Sequence, residues 1–348
     1  MRFYKCSRMF VCGVDLHCQS LYVCIMDREQ NILVHRNVRS QNTDYLLKLL
    51  DPFRHDLVVA AESGFTWYWL ADFCAQHGIE FQLGHALYMK AIHGAKSKND
   101  RIDSEKIAKL TMAGMLPMAY VYPKKNRALR DLLRRRFHFA RLCSGHAVHT
   151  RTVNSQYNLD PIGAINTAKI RENLIPPRFE DPCSRRSVAL DIETIAFLDA
   201  MVGKVEKEID ASVWKENPRE MEILQSIRGI GPILSQTILL EAGTIDRFSS
   251  HQQFASYCRL VKCAHESGGK KLGCGGAKIG NPYLKFAFTE AAIMAARYNP
   301  NIGKYLERME KKHGKGKAKI ILAHKIARAV YYMLKNGTAF DEQRFLSH

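Results

Sequence analysis

Hydrophobic and polar positions follow two different patterns over the first part of the chain. Short apolar segments bounded by polar breaks predict strands, and apolar positions spaced three or four apart predict helices. The predicted strands lie at 10–16, 21–26, 32–38, 57–61 and 81–84. The predicted helices lie at 44–50 and 67–77. This alternation predicts an α/β domain with a mixed sheet over residues 8–122.

The remainder of the chain has a helical pattern. Residues 123–219 predict a basic helix, a proline-punctuated loop and a second helix with a heptad stripe. The stripe consists of Val188, Ile195, Leu198, Val202, Val205 and Ile209. Such a stripe predicts a short coiled coil, either as a hairpin with the preceding helix or between subunits. Residues 220–340 predict a third, mostly helical domain.

Charge and composition narrow the function. The 348 residues carry a formal net charge of +18, which favours a polyanionic partner, nucleic acid first of all. No uncharged apolar stretch approaches the roughly 20 residues of a membrane span, and the usual secretory pattern is missing, so we expect neither a membrane span nor a secretory signal. The sequence therefore predicts a cytoplasmic, nucleoid-associated protein whose ten cysteines are reduced thiols.

Candidate phosphate contacts are spread over the second and third domains. The basic helix contributes Arg127, Arg130, Arg134, Arg135, Arg136 and Arg141. A Gly-Ile-Gly-Pro turn typical of a helix-hairpin-helix motif contributes Gly229 and Gly231, whose backbone amides face outward in such turns. Two lysine-rich loops contribute Lys270, Lys271, Lys278, Lys315 and Lys317. The competing interpretation is a set of solvated basic faces and an ordinary tight turn.

Four carboxylates form the candidate catalytic centre. Asp15 lies in an otherwise apolar predicted strand, where an unpaired acid is costly. Glu62 ends the second buried strand, and Asp100 and Asp103 share one face at the start of a helix. Together they would suit Mg²⁺ or Mn²⁺, which can activate an oxygen nucleophile at a phosphodiester. The alternatives are helix N-terminal acids at Asp100 and Asp103 and a turn cap at Glu62.

Ser267 begins a glycine-rich segment that ends at Gly280 and contains three lysines. Glycines allow the backbone to approach a phosphate closely. The next helix has Asn281 as a predicted cap and Pro282 at its first position. The serine is either a nucleophile toward phosphate or a hydroxyl in a turn.

Taken in order, these motifs resemble one family. They are Gly13-Val14-Asp15-Leu16-His17, Ala61-Glu62-Ser63-Gly64, Asp100-Arg101-Ile102-Asp103, the Gly-Ile-Gly-Pro turn, Ser267-Gly268-Gly269 and Gly280-Asn281. The chain is similar over residues 10–335 to the insertion-sequence transposases of the IS110 family. Departures from the family pattern occur at Asn99, Ser104 and Lys285.

The resemblance implies an RNase H-like (RuvC-like) domain with a DEDD metal site, a coiled coil, and a C-terminal transposase domain with a catalytic serine. By motif position the DEDD acids are Asp15, Glu62, Asp100 and Asp103, and the serine is Ser267. It further implies a recombinase guided by a bridge RNA, acting on donor and target DNA through a phosphoserine link. We expect a dimer or tetramer. Two alternatives remain, a metal-dependent RuvC-like nuclease or junction resolvase in which Ser267 is structural, and a non-catalytic nucleic-acid-binding protein.

Overall fold

The chain divides into two compact units of different architecture. The computed structural model describes residues 2–92, 99–163, 175–262, 265–268, 270–273 and 279–347. Contacts between residues separate unit 1, residues 1–124, from unit 2, residues 125–348. Unit 1 contains a mixed five-stranded sheet with helices, and the described part of unit 2 is mainly helical. The predicted α/β domain followed by helices is confirmed at this level, whereas the RuvC-like assignment stays a prediction.

The sheet of unit 1 combines antiparallel and parallel pairing. Its strands are β1 (Phe10–Leu16), β2 (Ser20–Met26), β3 (Ile32–Arg39), β4 (Leu57–Glu62) and β5 (Glu80–Gly84). They lie in the order β3-β2-β1-β4-β5. Short turns join β1, β2 and β3, which therefore pair antiparallel. Longer connections through helices allow β4 to pair parallel with β1, and β5 parallel with β4.

Helices cover both faces of this sheet. They are α1 (Thr43–Leu50), α2 (Trp67–Gln76), α3 (Ala86–Ile92) and α4 (Asp100–Met112). Helices α1 and α2 pack against one face, where Cys12 and Val59 are buried. Helix α4 packs against the other face, where Val11 and Val58 are buried. Because successive strand residues point to opposite faces, two covered faces require the nearly continuous apolar character of β1 and β4.

Two long helices form an antiparallel hairpin in unit 2. They are α5 (Lys124–Gln156) and α6 (Pro182–Glu216). Arg136 Nε donates to Glu206 Oε1 at 2.8 Å, and His146 Nδ1 lies 2.8 Å from Asp191 Oδ1. Later residues of α5 thus contact earlier residues of α6, so the two helices run antiparallel. The stripe residue Val188 is fully buried in this hairpin. The chain thus adopts the intramolecular alternative for the heptad stripe, while a coiled coil between subunits stays a prediction.

The remaining described helices of unit 2 pack around one apolar core. They are α7 (Pro218–Gln225), α8 (Pro232–Ala242), α9 (His251–Tyr257), α10 (Pro282–Tyr298), α11 (Pro300–His313), α12 (Lys315–Asn336) and α13 (Glu342–Ser347). A two-stranded ribbon consists of β6 (His265–Ser267) and β7 (Lys270–Gly273). The prediction that Lys315 and Lys317 lie in a loop is wrong, because Gly314, with φ of 79°, ends α11 and α12 begins directly at Lys315.

Two further expectations concern the cellular environment. The cysteines in the described part of the chain are free thiols, as expected. Among the described residues, no helix has both the length and the apolar character needed to cross a membrane.

Candidate active site

Two of the four predicted acids lie at the carboxyl ends of neighbouring strands. β1 and β4 run parallel with Val14 opposite Ala61. Asp15 and Glu62 are the next residues on these strands, so they lie side by side at the same edge of the sheet. Asp15 lies four residues after Val11, and Glu62 four residues after Val58, so each acid points to the same face of the sheet as its valine. Both valines face α4. The sheet therefore directs both acids toward the face that α4 covers.

Gly13 determines how closely α4 approaches this edge. A Cβ at this position would lie 2.2 Å from the backbone oxygen of Ser104 and 2.4 Å from the backbone nitrogen of Ala108. Only glycine allows the α4 backbone to rest directly on β1 at this distance. The close packing brings the first turn of α4, with Asp100 and Asp103, next to the end of β1.

Hydrogen bonds with the cap residue, with Ser104 and with β3 hold that first turn in place. Asn99 Oδ1 accepts from the Arg101 amide at 2.9 Å and caps α4. His35 of β3 accepts from Arg101 Nε at Nδ1, at 3.3 Å, and its Nε2 lies 3.0 Å from the Arg101 carbonyl oxygen. Ser104 is buried, and its hydroxyl donates to the same carbonyl at 2.8 Å. The departures from the family pattern at Asn99 and Ser104 are thus accommodated by hydrogen bonds that fix the helix start.

Three side chains meet at the centre of the site. His17 Nε2 lies 3.4 Å from Asp15 Oδ2 and 3.4 Å from Asp100 Oδ1. One ligand atom from each of these residues falls within 4.8 Å of the other two, a spacing that could hold a metal ion. Asp103 instead contacts Lys106 Nζ at 3.0 Å. Asp15 and Asp100 therefore both contact His17, which lies between them.

The other three acids act electrostatically on Asp15. Burial raises the pKa of the Asp15 carboxyl above its ordinary value, and nearby His17 opposes this. The negative charges of Asp100, Asp103 and Glu62 raise the Asp15 pKa further. Because the three neighbouring acids make the ionisation of Asp15 harder, a bound cation would stabilise its charged form.

Sequence reasoning did not assign a role to His17. It follows Asp15 by two residues at the turn between β1 and β2, where its amide donates to the Ser20 carbonyl at 2.9 Å. The available signal was this two-residue spacing, which places the two side chains on one side of an extended chain. The role of His35 depends on strand pairing and had no local signal.

The arginines of α5 have two different environments. Arg130 and Arg134 donate to the buried carboxylate of Glu241 at 3.0 and 2.6 Å, Arg127 is buried, and Arg136 pairs with Glu206. Arg135 and Arg141 are exposed. Burial alone would raise the Glu241 pKa, but the hydrogen bond from Arg134 and the charge of Arg130 outweigh it and lower the pKa. Nucleic-acid binding by these arginines stays a prediction, and the exposed pair is best placed for it.

The remaining predicted contacts lie in the turn, in the glycine-rich segment and at the start of α12 in unit 2. Gly229 has φ of 110°, and a Cβ there would lie 2.4 Å from the Ala295 backbone nitrogen, so the turn packs tightly against α10. Gly231 caps the start of α8 without a side chain. Lys270, Lys315 and Lys317 are exposed. The side chains of Ser267 and Lys271, and all of Lys278, lie outside the described residues.

Asn281 anchors the end of the glycine-rich segment as its sequence predicted. Its Oδ1 accepts from the amides of Tyr283 and Leu284 and caps α10, with Pro282 at the first helical position. Its Nδ2 donates to Glu241 Oε2 at 2.7 Å. The same buried carboxylate therefore ties the basic helix α5 to the start of α10.

Comparison with known proteins identifies the class. A family model of transposases with the DEDD motif matches residues 12–157, which include the sheet edge and α4. A model described as "Transposase IS116/IS110/IS902 family" matches residues 221–307. The chain is therefore a transposase, an enzyme that cuts and rejoins DNA.

The similarity extends over most of the chain. A Pseudomonas aeruginosa protein described as "Probable family 20 transposase" is 22% identical over 344 residues, 94% of this chain and 97% of that protein. The "Transposase for insertion sequence element IS1111A" of Coxiella burnetii is 24% identical over 341 residues, 93% of this chain and 89% of that protein. The chain belongs to the IS110/IS116/IS902 family of insertion-sequence transposases.

Proposed function

We propose that this transposase is a bridge-RNA-guided recombinase that joins donor and target DNA through a covalent link to Ser267, assisted by a divalent metal in unit 1. The observation that supports the metal site is the convergence of Asp15, Asp100 and His17 within 4.8 Å at the edge of the sheet. Glu62 and Asp103 lie close enough to raise the Asp15 pKa. The RuvC-like assignment of unit 1 is part of the same proposal.

The residues at the sheet edge fit a divalent cation. Asp15, Glu62, Asp100 and Asp103 supply the oxygen ligands that Mg²⁺ and Mn²⁺ prefer, and the Asp15 side chain is 18% exposed. A cation held there would polarise a phosphodiester and lower the pKa of an attacking hydroxyl. The chain's own contribution is to fix the acids through Gly13 packing and the Asn99 cap.

The covalent step proposed for Ser267 balances without an external energy source. A bond forms between its Oγ and the scissile phosphorus while the bond from phosphorus to one DNA oxygen breaks. That oxygen leaves with a proton, and the serine proton passes to a base or water. The phosphodiester energy is conserved in the serine ester, so a second DNA hydroxyl can reverse the step on another strand.

The exposed basic residues support a nucleic-acid partner. Arg135, Arg141, Lys315 and Lys317 are exposed on helices of unit 2 and add to a net charge of +18. Contacts of this kind bind phosphates without reading sequence. In this proposal the choice of DNA site resides in the bridge RNA, which the family resemblance implies.

Oligomer formation is supported by the outer face of the hairpin. Leu190 and Phe197 are one heptad apart on α6 and are 46% and 61% exposed. Exposed apolar side chains at this spacing suit packing against another helix. We propose that a second subunit covers them, giving the dimer or tetramer in which metal site and serine from different chains can meet.

The proposal is tested by excision of the insertion sequence in cells. Wild-type protein is expressed with the element's native flanking DNA, and junctions of the circular element and the rejoined donor are amplified. Asp15→Ala and Ser267→Ala should both abolish the junctions. Matched controls are Asp44→Ala on α1 and Ser256→Ala on α9, both exposed residues, which should retain them.

A second assay separates the recombinase from a simple nuclease. Purified protein is incubated with labelled donor DNA, bridge RNA and Mg²⁺, then denatured and run on a gel. The recombinase gives a labelled protein band that Ser267→Ala removes. Cleaved DNA with no labelled protein band, unaffected by Ser267→Ala, would establish the metal-dependent nuclease instead.

A further inference from the structure

Helix α12 presents an unusual surface that the proposed catalytic residues do not explain. None of its 22 residues is acidic. Lys317, His324, Arg328 and Tyr332 follow one another at spacings of seven, four and four, which places them on one side of the helix. The opposite side, including Ile326 and Val330, is buried in the core of unit 2. We refer to these four residues, with His251 of α9, as the α12 stripe.

Tyr332 is held in place by aromatic neighbours while part of its ring stays exposed. The rings of His251 and Tyr332 lie 5.5 Å apart at 43°, and His251 Nδ1 is hydrogen bonded to Tyr332 Oη at 3.1 Å. The buried Tyr331 packs edge-on against Tyr332 at 5.3 Å. Tyr332 is 41% exposed. A fixed, partly exposed aromatic side chain is a platform on which a base can stack at little cost in side-chain entropy.

The charges of the stripe complement this ring. Lys317 and Arg328 are exposed cations. Burial and the charge of Arg328 lower the pKa of both His251 and His324, so at neutral pH these residues contribute flat neutral rings. An acid near this surface, Asp246, lies 3.6 Å from Lys335 Nζ, beyond Tyr332 toward the helix end. The stripe therefore offers cations for phosphates beside rings for bases.

We propose that the α12 stripe binds a single-stranded segment of DNA, with an unpaired base on Tyr332 and the adjoining phosphates on Arg328 and Lys317. Arg328 and Tyr332 are about 6 Å apart along the helix axis, which allows one nucleotide to contact both. Bases in a duplex are stacked on each other, so only an unpaired base can use the Tyr332 ring. The inference rests on the proposed function, because strand exchange at a transposon end exposes unpaired DNA.

The test measures binding of the full-length protein to labelled dT20 by fluorescence anisotropy. Tyr332→Leu should weaken binding of dT20 about 5- to 150-fold, as for loss of one stacked base. Tyr332→Phe, which keeps the ring, should bind within about twofold of wild type. Tyr45→Leu on α1, equally exposed at 40%, is the matched control and should not change binding. Thermal melts check that each variant is folded.

Two readouts distinguish stacking from a general loss of structure. A strand carrying one 2-aminopurine should be quenched by wild type and by Tyr332→Phe, but not by Tyr332→Leu. Arg328→Gln should reduce the salt slope of dT20 binding by about 0.7, the value for one phosphate contact on a single strand. Duplex DNA should be bound equally by wild type and Tyr332→Leu.

Three results would overturn the inference. They are dT20 binding by Tyr332→Leu within twofold of wild type, an equal loss of duplex binding in that variant, or a Tyr332-dependent preference for U20 RNA over dT20. Binding requires no cleavage, so Ser267→Ala and Asp15→Ala should bind dT20 normally. If those proteins bind normally while recombination is absent in wild type, the proposed function fails and the stripe stands.

Discussion

Replacing Gly13 with alanine should disable the candidate metal site without touching any acid. The added Cβ would lie 2.2 Å from the Ser104 carbonyl oxygen and 2.4 Å from the Ala108 amide nitrogen. Ordinary contact begins near 3.4 Å, so the α4 backbone must move by about 1.2 Å. Since α4 carries Asp100 and Asp103, both acids move away from Asp15 on β1.

The size of the effect follows from this displacement. Forcing one extra carbon between packed backbones costs about 1–3 kcal/mol of unfolding free energy. A misplacement of about 1 Å in a catalytic constellation costs about 100-fold in rate. We therefore expect Gly13→Ala to unfold at lower urea and to reduce excision about 100-fold. Urea unfolding followed by tryptophan fluorescence and quantitative amplification of excision junctions measure the two effects separately.

A matched glycine provides the control. Gly145 lies within α5, and a Cβ there would meet nothing within 4 Å. Gly145→Ala should leave excision unchanged and add about 0.5–1 kcal/mol of stability, the usual gain for alanine over glycine inside a helix. Wild-type urea stability together with wild-type excision in Gly13→Ala would refute the view that the contact between β1 and α4 positions the acids.

The remaining predictions concern charge in the two units. Glu241→Gln should lower the unfolding free energy by about 3–5 kcal/mol, because it leaves Arg130 and Arg134 without their buried carboxylate; a loss below 1 kcal/mol in urea unfolding would contradict this. The Glu241 pKa is lowered in the folded state, so ionised Glu241 adds to the unfolding free energy above its unfolded-state pKa. This stabilisation disappears as the pH falls through the folded-state pKa. Acidification should therefore lower the melting temperature of Glu241→Gln less than that of wild type. The Asp15 pKa is raised in the folded state, so the protein loses stability as the pH rises past the ordinary pKa of an aspartate. Without divalent cations, Asp15→Asn should therefore have a higher melting temperature than wild type at pH 7. Added Mg²⁺ should stabilise only wild type. Asn281→Ala should cost about 1–2 kcal/mol through loss of the α10 cap and of the hydrogen bond to Glu241, and unchanged urea unfolding would refute a stabilising role for this side chain.

The raised Asp15 pKa and the lowered Glu241 pKa express two different uses of buried acids. Glu241 is fully buried, with hydrogen bonds from two arginines and Asn281, and it stabilises the fold. Asp15 is partly buried among other acids with one histidine beside it, an arrangement that costs stability when no cation is bound. Strain of this kind is typical of a functional site.

The sequence by itself predicted the five strands of unit 1 and the candidate chemistry. Strand alternation in β1 and β4 fixed which side Asp15 and Glu62 face, since the period of two is a property of the extended backbone. The helix start at Asp100 and the cap at Asn281 follow from local backbone hydrogen bonding. Strand alternation and helix capping depend on only a few neighbouring residues, so they can be predicted without knowledge of the fold.

Only the tertiary structure decided which distant groups meet. The pairing of Arg130 and Arg134 with Glu241 joins residues more than 100 positions apart, so the basic run of α5 could not be divided into internal and exposed arginines beforehand. The hydrogen bonds between His35 on β3 and Arg101 on α4 depend on the strand order of the sheet. The heptad stripe of α6 was compatible with pairing either with α5 or with another subunit, and the structure shows the pairing with α5. Contacts between distant segments depend on how all elements pack together, which no local pattern specifies.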